Sequence, residues 1–225
     1  MNGDEKKMSW LVWQLMDSGF PAGGFAHSFG LEAAYQQGEV DALSLPAFVR
    51  DAIAQAGHGG LPFVLAAFDD PHSIGLIDER CEAFLRNPVT NRASRVQGRA
   101  WLGTVARSFP RDDMRDIVAF VKLRANCRHF SPIFGATLNA LHVNRDDAAR
   151  LFLFGAARGT LSAAVRLGIT GTNDAQRMLS ERGEDLNRTI ERCSDLTMDD
   201  AAQTSPLIDL WQASHDRLYS RLFQS

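Results

Sequence analysis

His27 and Ser28 stand side by side in the stretch "DSGFPAGGFAHSFGLEAAYQQG", Asp17 to Gly38. A serine next to an imidazole first suggests nucleophilic chemistry, and "AHSFG" resembles a G-x-S-x-G elbow with Ala26 at the first glycine. Such an elbow needs a buried strand before it and a helix after it. The preceding "GFPAGGF" is broken by Pro21 and its glycines and cannot supply that strand. Asp209 and His215 could be nominated as acid and base, but any chain of this length offers such a pair. A small serine hydrolase using Ser28 and His27 is therefore the alternative reading only. A phosphate cradle fares worse, because a P-loop needs a lysine and none lies between Lys7 and Lys122.

What remains is a rigid turn that shapes a surface. Its glycines open backbone angles closed to other residues, and Pro21 stiffens the entry. Phe20, Phe25 and Phe29 then either anchor a partner or plug the chain's own core. The six histidines lack H-x-x-x-H or H-E-x-x-H spacing, so no dedicated metal site is expected. For His27 and Glu32 a structural hydrogen bond is the simpler role. Cys81, Cys127 and Cys193 are far apart and odd in number, which suits free thiols in a reducing compartment.

Two further patterns bear on partners. In "NRASRVQGRAWLGTVARSF", Arg92, Arg95 and Arg99 form one helical stripe beside Ala93, Val96 and Ala100. That stripe is either a solvated face or a basic edge for an acidic partner. At the C-terminus, Leu207, Leu210, Trp211, Ser214, Leu218 and Leu222 keep helical spacing, with Arg217, Arg221, Tyr219 and Phe223 alongside. So apolar a terminus must pack on the domain's own core or on another chain.

The elements that would position these groups are helices. Ser44 is a cap candidate for a helix ending at Gly57, and Asn144 for one stopped by Gly168. Ser205 and Pro206 open another, and Gly183 weakens the helix around it. "PRDDMRDIVAFVKLRANC" carries acids early and bases late, as the helix dipole favours. Gly155, Gly159 and Ala163 share one face and predict close approach of a neighbouring helix; three arginines in that segment exclude a membrane span. Alternating strand patterns are nearly absent. The expectation is an all-α, single-domain bundle of about eight to ten helices: a flexible tail at 1–7, one domain over 8–225, and a partner-binding helix or tail at 205–225.

The 225 residues are 45% hydrophobic and 23% charged with net charge −3, which gives no global bias toward nucleic acid or anionic membrane. No signal peptide and no run of about 18 apolar residues is visible, so a cytoplasmic protein is expected.

Together these pieces resemble the UreF family of urease accessory proteins, over nearly the whole chain. "DSGFPAGGFAHSFGLEAA" is similar to its N-terminal hallmark, and "HDRLYSRLFQS" to its ending. "NRASRVQGRAWL", "HFSPIFG" and "AAVRLGITGTNDAQRML" resemble internal motifs, with a departure at "GITGT". The form looks closest to plant-like members. The resemblance implies a non-enzymatic homodimer that bridges UreD (also called UreH) and the GTPase UreG while nickel is delivered to apo-urease. GTP would belong to UreG and nickel would be in transit, so no cofactor is expected here. The positions it nominates for partner contact are Phe25, His27, Ser28 and Glu32; Arg150 and Arg166 toward the GTPase; and Arg217, Leu218, Tyr219, Arg221, Leu222 and Phe223 in the tail.

Overall fold

The computed structural model describes residues 10–17, 19–21, 23–126 and 128–225. The polar stretch at 1–7 and Cys127 lie outside them. The chain folds as a single all-α bundle, as its sequence predicts. The helices are α1 (Trp10–Met16), α2 (Leu31–Gln36), α3 (Leu45–Gln55), α4 (Leu61–Asp69), α5 (Ile74–Phe84) and α6 (Pro88–Ser108). They continue as α7 (Asp112–Arg124), α8 (Phe130–Ala140), α9 (Arg145–Arg166), α10 (Thr172–Glu181), α11 (Gly183–Cys193) and α12 (Pro206–Ser214).

Local signals account for many of these boundaries. The Asn144 side chain accepts from the Asp147 amide at 2.8 Å, and Gly168 ends the same helix at φ 74°. Asn87 caps α6 by accepting from the Val89 amide at 3.0 Å. Asp112 and Asp113 open α7, and Lys122 and Arg124 close it.

Several expectations change. Ser44 precedes α3 but does not cap it with its side chain; its hydroxyl bonds Asp41 Oδ1 at 2.8 Å, within the preceding turn. Nor does Gly57 stop the helix. The chain continues through a π-helical turn, Ala56–Gly60, into α4. Glycine is needed at position 57 because a Cβ there would lie 2.2 Å from Thr189 Cγ2 on α11. The helix around Gly183 is divided into α10 and α11, with Arg182 between them.

α9 is the axis of the molecule. Its first half contributes Ala148, Leu151 and Leu153 to a core shared with α4, α6 and α8. Its second half contributes Ala157, Leu161 and Ala164 to a smaller core with α2 and α3. Between the two lies a cavity of about 610 Å³ bordered by Phe130, Phe134, Phe152, Gly155 and Gly159. At Gly155 and Gly159 the small-residue face therefore does not receive a helix, whereas Ala163 is buried in the smaller core. A Cβ at Gly159 would instead meet the Phe29 ring at 3.0 Å, and one at Gly155 would meet nothing within 4 Å.

A candidate partner interface at the joined chain ends

The glycine-rich stretch forms a tight irregular turn. Gly23 and Gly30 sit at φ 76° and 87°, and Phe29 is also left-handed at φ 56°. Few non-glycine residues adopt that conformation, and it persists only where the surroundings enforce it. Here the enforcement comes from the other end of the chain. The Ser28 amide donates to the Ser225 carbonyl at 2.6 Å, and the Gln224 amide donates to the Ala26 carbonyl at 2.9 Å. The Gln36 side chain holds the Ser220 carbonyl at 3.0 Å.

Glu32, on the first turn of α2, fastens this contact. Its carboxylate accepts from the Leu222 amide at 2.6 Å and the Phe223 amide at 3.2 Å. The same group meets His215 Nε2 at 3.0 Å, and both side chains are buried. A carboxylate taken out of water in this way must have its lone pairs satisfied, and the two amides donate to it with the His215 ring within hydrogen-bond distance. His27 is also buried, with Nδ1 2.5 Å from Ser225 Oγ, and its Nε2 has no partner. Burial, and then the nearby His215, push the His27 pKa down from 6.5 to about 4.

The tail is not the helix its spacing suggests. α12 ends at Ser214, a 3₁₀ turn covers His215–Arg217, and 218–225 has no regular structure. Alternation along an irregular path sends neighbours in opposite directions. Phe223 is buried on the chain's own smaller core, whereas Tyr219 is fully exposed and Leu222 is 53% exposed. Leu218 is half-buried, Arg217 is exposed, and Arg221 reaches Asp216 at 3.3 Å. The Arg166 guanidinium lies between two rings, 4.0 Å from the centroid of Phe25 and 4.1 Å from that of Phe223. Phe25 itself is 68% exposed. The structure thus gathers Phe25, His27, Ser28, Glu32, Arg166 and the tail into one place. Arg150 stays apart on α9, exposed and 3.4 Å from Asp147.

This geometry does not suit a hydrolase. The Ser28 hydroxyl donates to the Ser225 carbonyl at 3.2 Å and is fully buried, so its proton does not face a base. Asp209 accepts from Asn87 instead, and His215 serves Glu32. Among the described residues no three His, Cys, Asp or Glu side chains are grouped to hold a metal ion. Also among them, no helix is long and apolar enough to cross a membrane.

A second polar knot was not singled out by sequence reading. Asp78 on α5 accepts from the backbone amides of Arg128 at 3.0 Å and His129 at 2.8 Å. His129 Nε2 meets Glu82 Oε2 at 2.7 Å, and its Nδ1 meets Ser94 Oγ on α6 at 3.1 Å. Burial lowers the His129 pKa, against the opposing pull of Glu82 and Asp78. The knot pins the loop before α8 onto α6 so closely that a Cβ at Gly98 would lie 2.1 Å from the Arg128 carbonyl. A sequence signal for it exists. Asp78 lies in one row with Ile74, Ile77 and Cys81, an acid on the apolar face of an amphipathic helix.

Fold and site together define an all-α protein whose most distinctive polar chemistry fastens its own two ends beside exposed aromatic groups. Residues 40–182 match the model of the UreF family. A urease accessory protein F from Oryza sativa subsp. indica is 36% identical over 221 aligned positions, covering 95% of this chain and 84% of that protein. One from Arabidopsis thaliana is 35% identical over 223 positions, covering 97% of this chain and 93% of that protein. A urease accessory protein UreF from Paenarthrobacter aurescens is 29% identical over 217 positions, covering 94% and 96%. The chain belongs to the UreF family.

Proposed function

We propose that this protein is a non-enzymatic accessory factor in urease maturation, a cytoplasmic homodimeric scaffold that bridges UreD (UreH) and the GTPase UreG. In this reading UreG binds the GTP, and nickel passes toward apo-urease without a resident site here. The observation that carries it is similarity over nearly the whole chain to proteins named urease accessory proteins. The surface supports it. Phe25, Tyr219 and Leu222 stand exposed next to the joined ends, and Leu207 and Leu210 are 59% and 63% exposed on α12. Large apolar groups held in water on a rigid base are what partner surfaces use as anchors.

The test is co-purification of the full chain with UreD and UreG, with stoichiometry measured and urease activation as the readout. Tyr219→Ala is the sharp variant for UreD, since Tyr219 is fully exposed. It should weaken UreD capture by about tenfold, the scale of a modest interface anchor, at an unchanged melting temperature. Arg150→Ala should do the same for UreG, and Phe25→Ala should weaken UreG capture to a similar extent with only a small drop in melting temperature. Unaltered capture by all three variants would reject this assignment of the interface. Wild-type chain that neither captures UreD or UreG nor supports urease activation would reject the function.

A further inference from the structure

A second surface, remote from the hydrolase question and independent of the urease reading, has the chemistry of a binding cleft. It opens between the C-terminal end of α5 and the first three turns of α6, with a volume of about 570 Å³. Arg86, Arg92, Arg95 and Arg99 line it, and among the described residues the single acid that lines it is Glu82. Glu82 stays 40% exposed at the edge of the cleft, with one carboxylate oxygen bonded to His129, and the four arginines outnumber it. Among the described residues none of Arg86, Arg95 and Arg99 is ion-paired with a carboxylate. Leu85 and Pro88 give the cleft an apolar floor.

The fourth arginine shows what such a row accepts. Arg92 holds both oxygens of Asp216 from the C-terminal 3₁₀ turn, at 2.8 and 3.0 Å. A carboxylate from an irregular segment thus already occupies one end of the row. Arg92, Arg95 and Arg99 lie at i, i+3 and i+7, so the row runs about 10 Å along the helix. That length suits several carboxylates spaced along a chain better than one small anion. The apolar floor suits a side chain between them. Among the described residues no aromatic side chain lines the cleft, and stacking platforms are what single-stranded nucleic acid uses.

We infer that the α5–α6 cleft binds an acidic peptide segment of a partner protein, its carboxylates taken by Arg95 and Arg99 in continuation of the Arg92–Asp216 pair. Arginine is well matched to this, because its planar fork binds carboxylates through two parallel bonds. Complementarity of this kind mainly raises the association rate and selects the partner, and it weakens with salt.

The probe is a fluorescein-labelled peptide of glutamate pairs separated by leucine, titrated with the full-length protein by fluorescence anisotropy. The expected result is saturable binding that weakens as salt is raised. It should fall by about tenfold or more in Arg95→Gln/Arg99→Glu, as loss of two charge-assisted contacts implies, and stay unchanged in Arg177→Glu, on α10. Arg95 is half-buried, so circular dichroism accompanies the double variant. Exposed Arg99→Glu alone keeps the test decisive if the double variant misfolds. No saturable binding, or equal loss in Arg177→Glu, overturns the proposal. So does a single-stranded oligonucleotide that binds as tightly as the peptide with the same arginine dependence.

Discussion

The molecule ties two distant pairs of segments with the same device and different consequences. In each, a buried carboxylate accepts two consecutive backbone amides and a histidine stands beside it. Glu32 takes the amides of Leu222 and Phe223 with His215 alongside. Asp78 takes those of Arg128 and His129, whose ring is held by Glu82 and Ser94. The second knot closes an internal loop flanked by α7 and α8, so its donors have nowhere to go if the acid is lost. The first closes a chain end that can swing into water and satisfy its amides there. Hydrogen-bond chemistry therefore sets the strength of each tie, and chain topology sets what happens when it breaks.

The largest expected effect tests that statement directly. Asp78→Ala leaves two amides unpaired in a closed loop. Each such orphan costs about 1–3 kcal/mol, so global stability should fall by about 4 kcal/mol in urea unfolding. A loss no larger than that of Glu32→Ala would break the comparison.

Acidification comes next. His27 is neutral in the fold because burial and His215 hold its pKa at about 4, against 6.5 when unfolded. Its unpartnered Nε2 cannot take a proton without a new acceptor. The unfolded chain binds that proton first, so the stabilisation is whole above about pH 6.5 and is lost as pH falls toward 4. The window is worth on the order of 3 kcal/mol. His129 shifts in the same direction, so both knots weaken in acid. His27→Asn separates them: unfolding free energy between these pH values should lose much of its slope. An unchanged slope would assign the acid sensitivity to the internal knot.

Glu32→Ala should cost less, about 2 kcal/mol, because water replaces the lost acceptor once the tail lifts. Its signature is local. Hydrogen exchange at Leu222, Phe223 and Gln224 should accelerate strongly while α4 and α8 amides stay protected. Uniform acceleration would show that the chain end is as much a part of the core as the Asp78 loop.

The sequence made the locally determined features legible and the long-range ones much less so. Asn144, Gly168 and the charge order of α7 act within a turn of the backbone they terminate, so the helices could be read from them. Gly57 reads locally as a stop, yet it answers to Thr189, 132 positions away by numbering. Gly155 and Gly159 read as a helix contact, yet Phe29 and a cavity lie opposite. Helical spacing beyond Ser214 is real in the sequence, but the chain follows its hydrogen bonds to Glu32 and Ala26 instead. The glycine-rich stretch stands out in the sequence because its residue types are unusual. That its polar groups face the chain's own terminus was not readable, since both ends carry equally plausible partners for anything.

The smallest expected effect sharpens the comparison furthest. Arg166 is held between Phe25 on the solvent side and Phe223 on the core side. If hydrogen bonds at Glu32 fasten the tail, the exposed ring is dispensable for the fold. Phe25→Ala then removes one cation–π contact, worth about 0.5–1 kcal/mol at an exposed site, and the tail stays down. Phe223→Ala also empties a buried site and should cost several times more, about 3 kcal/mol. Exchange at the Leu222 amide separates the cases without any partner present. It should remain slow in Phe25→Ala and become fast in Phe223→Ala. If Phe25→Ala frees the Leu222 amide as fully as Glu32→Ala does, the aromatic stack rather than the carboxylate fastens the chain end. The two knots would then share hydrogen bonds but not the source of their strength.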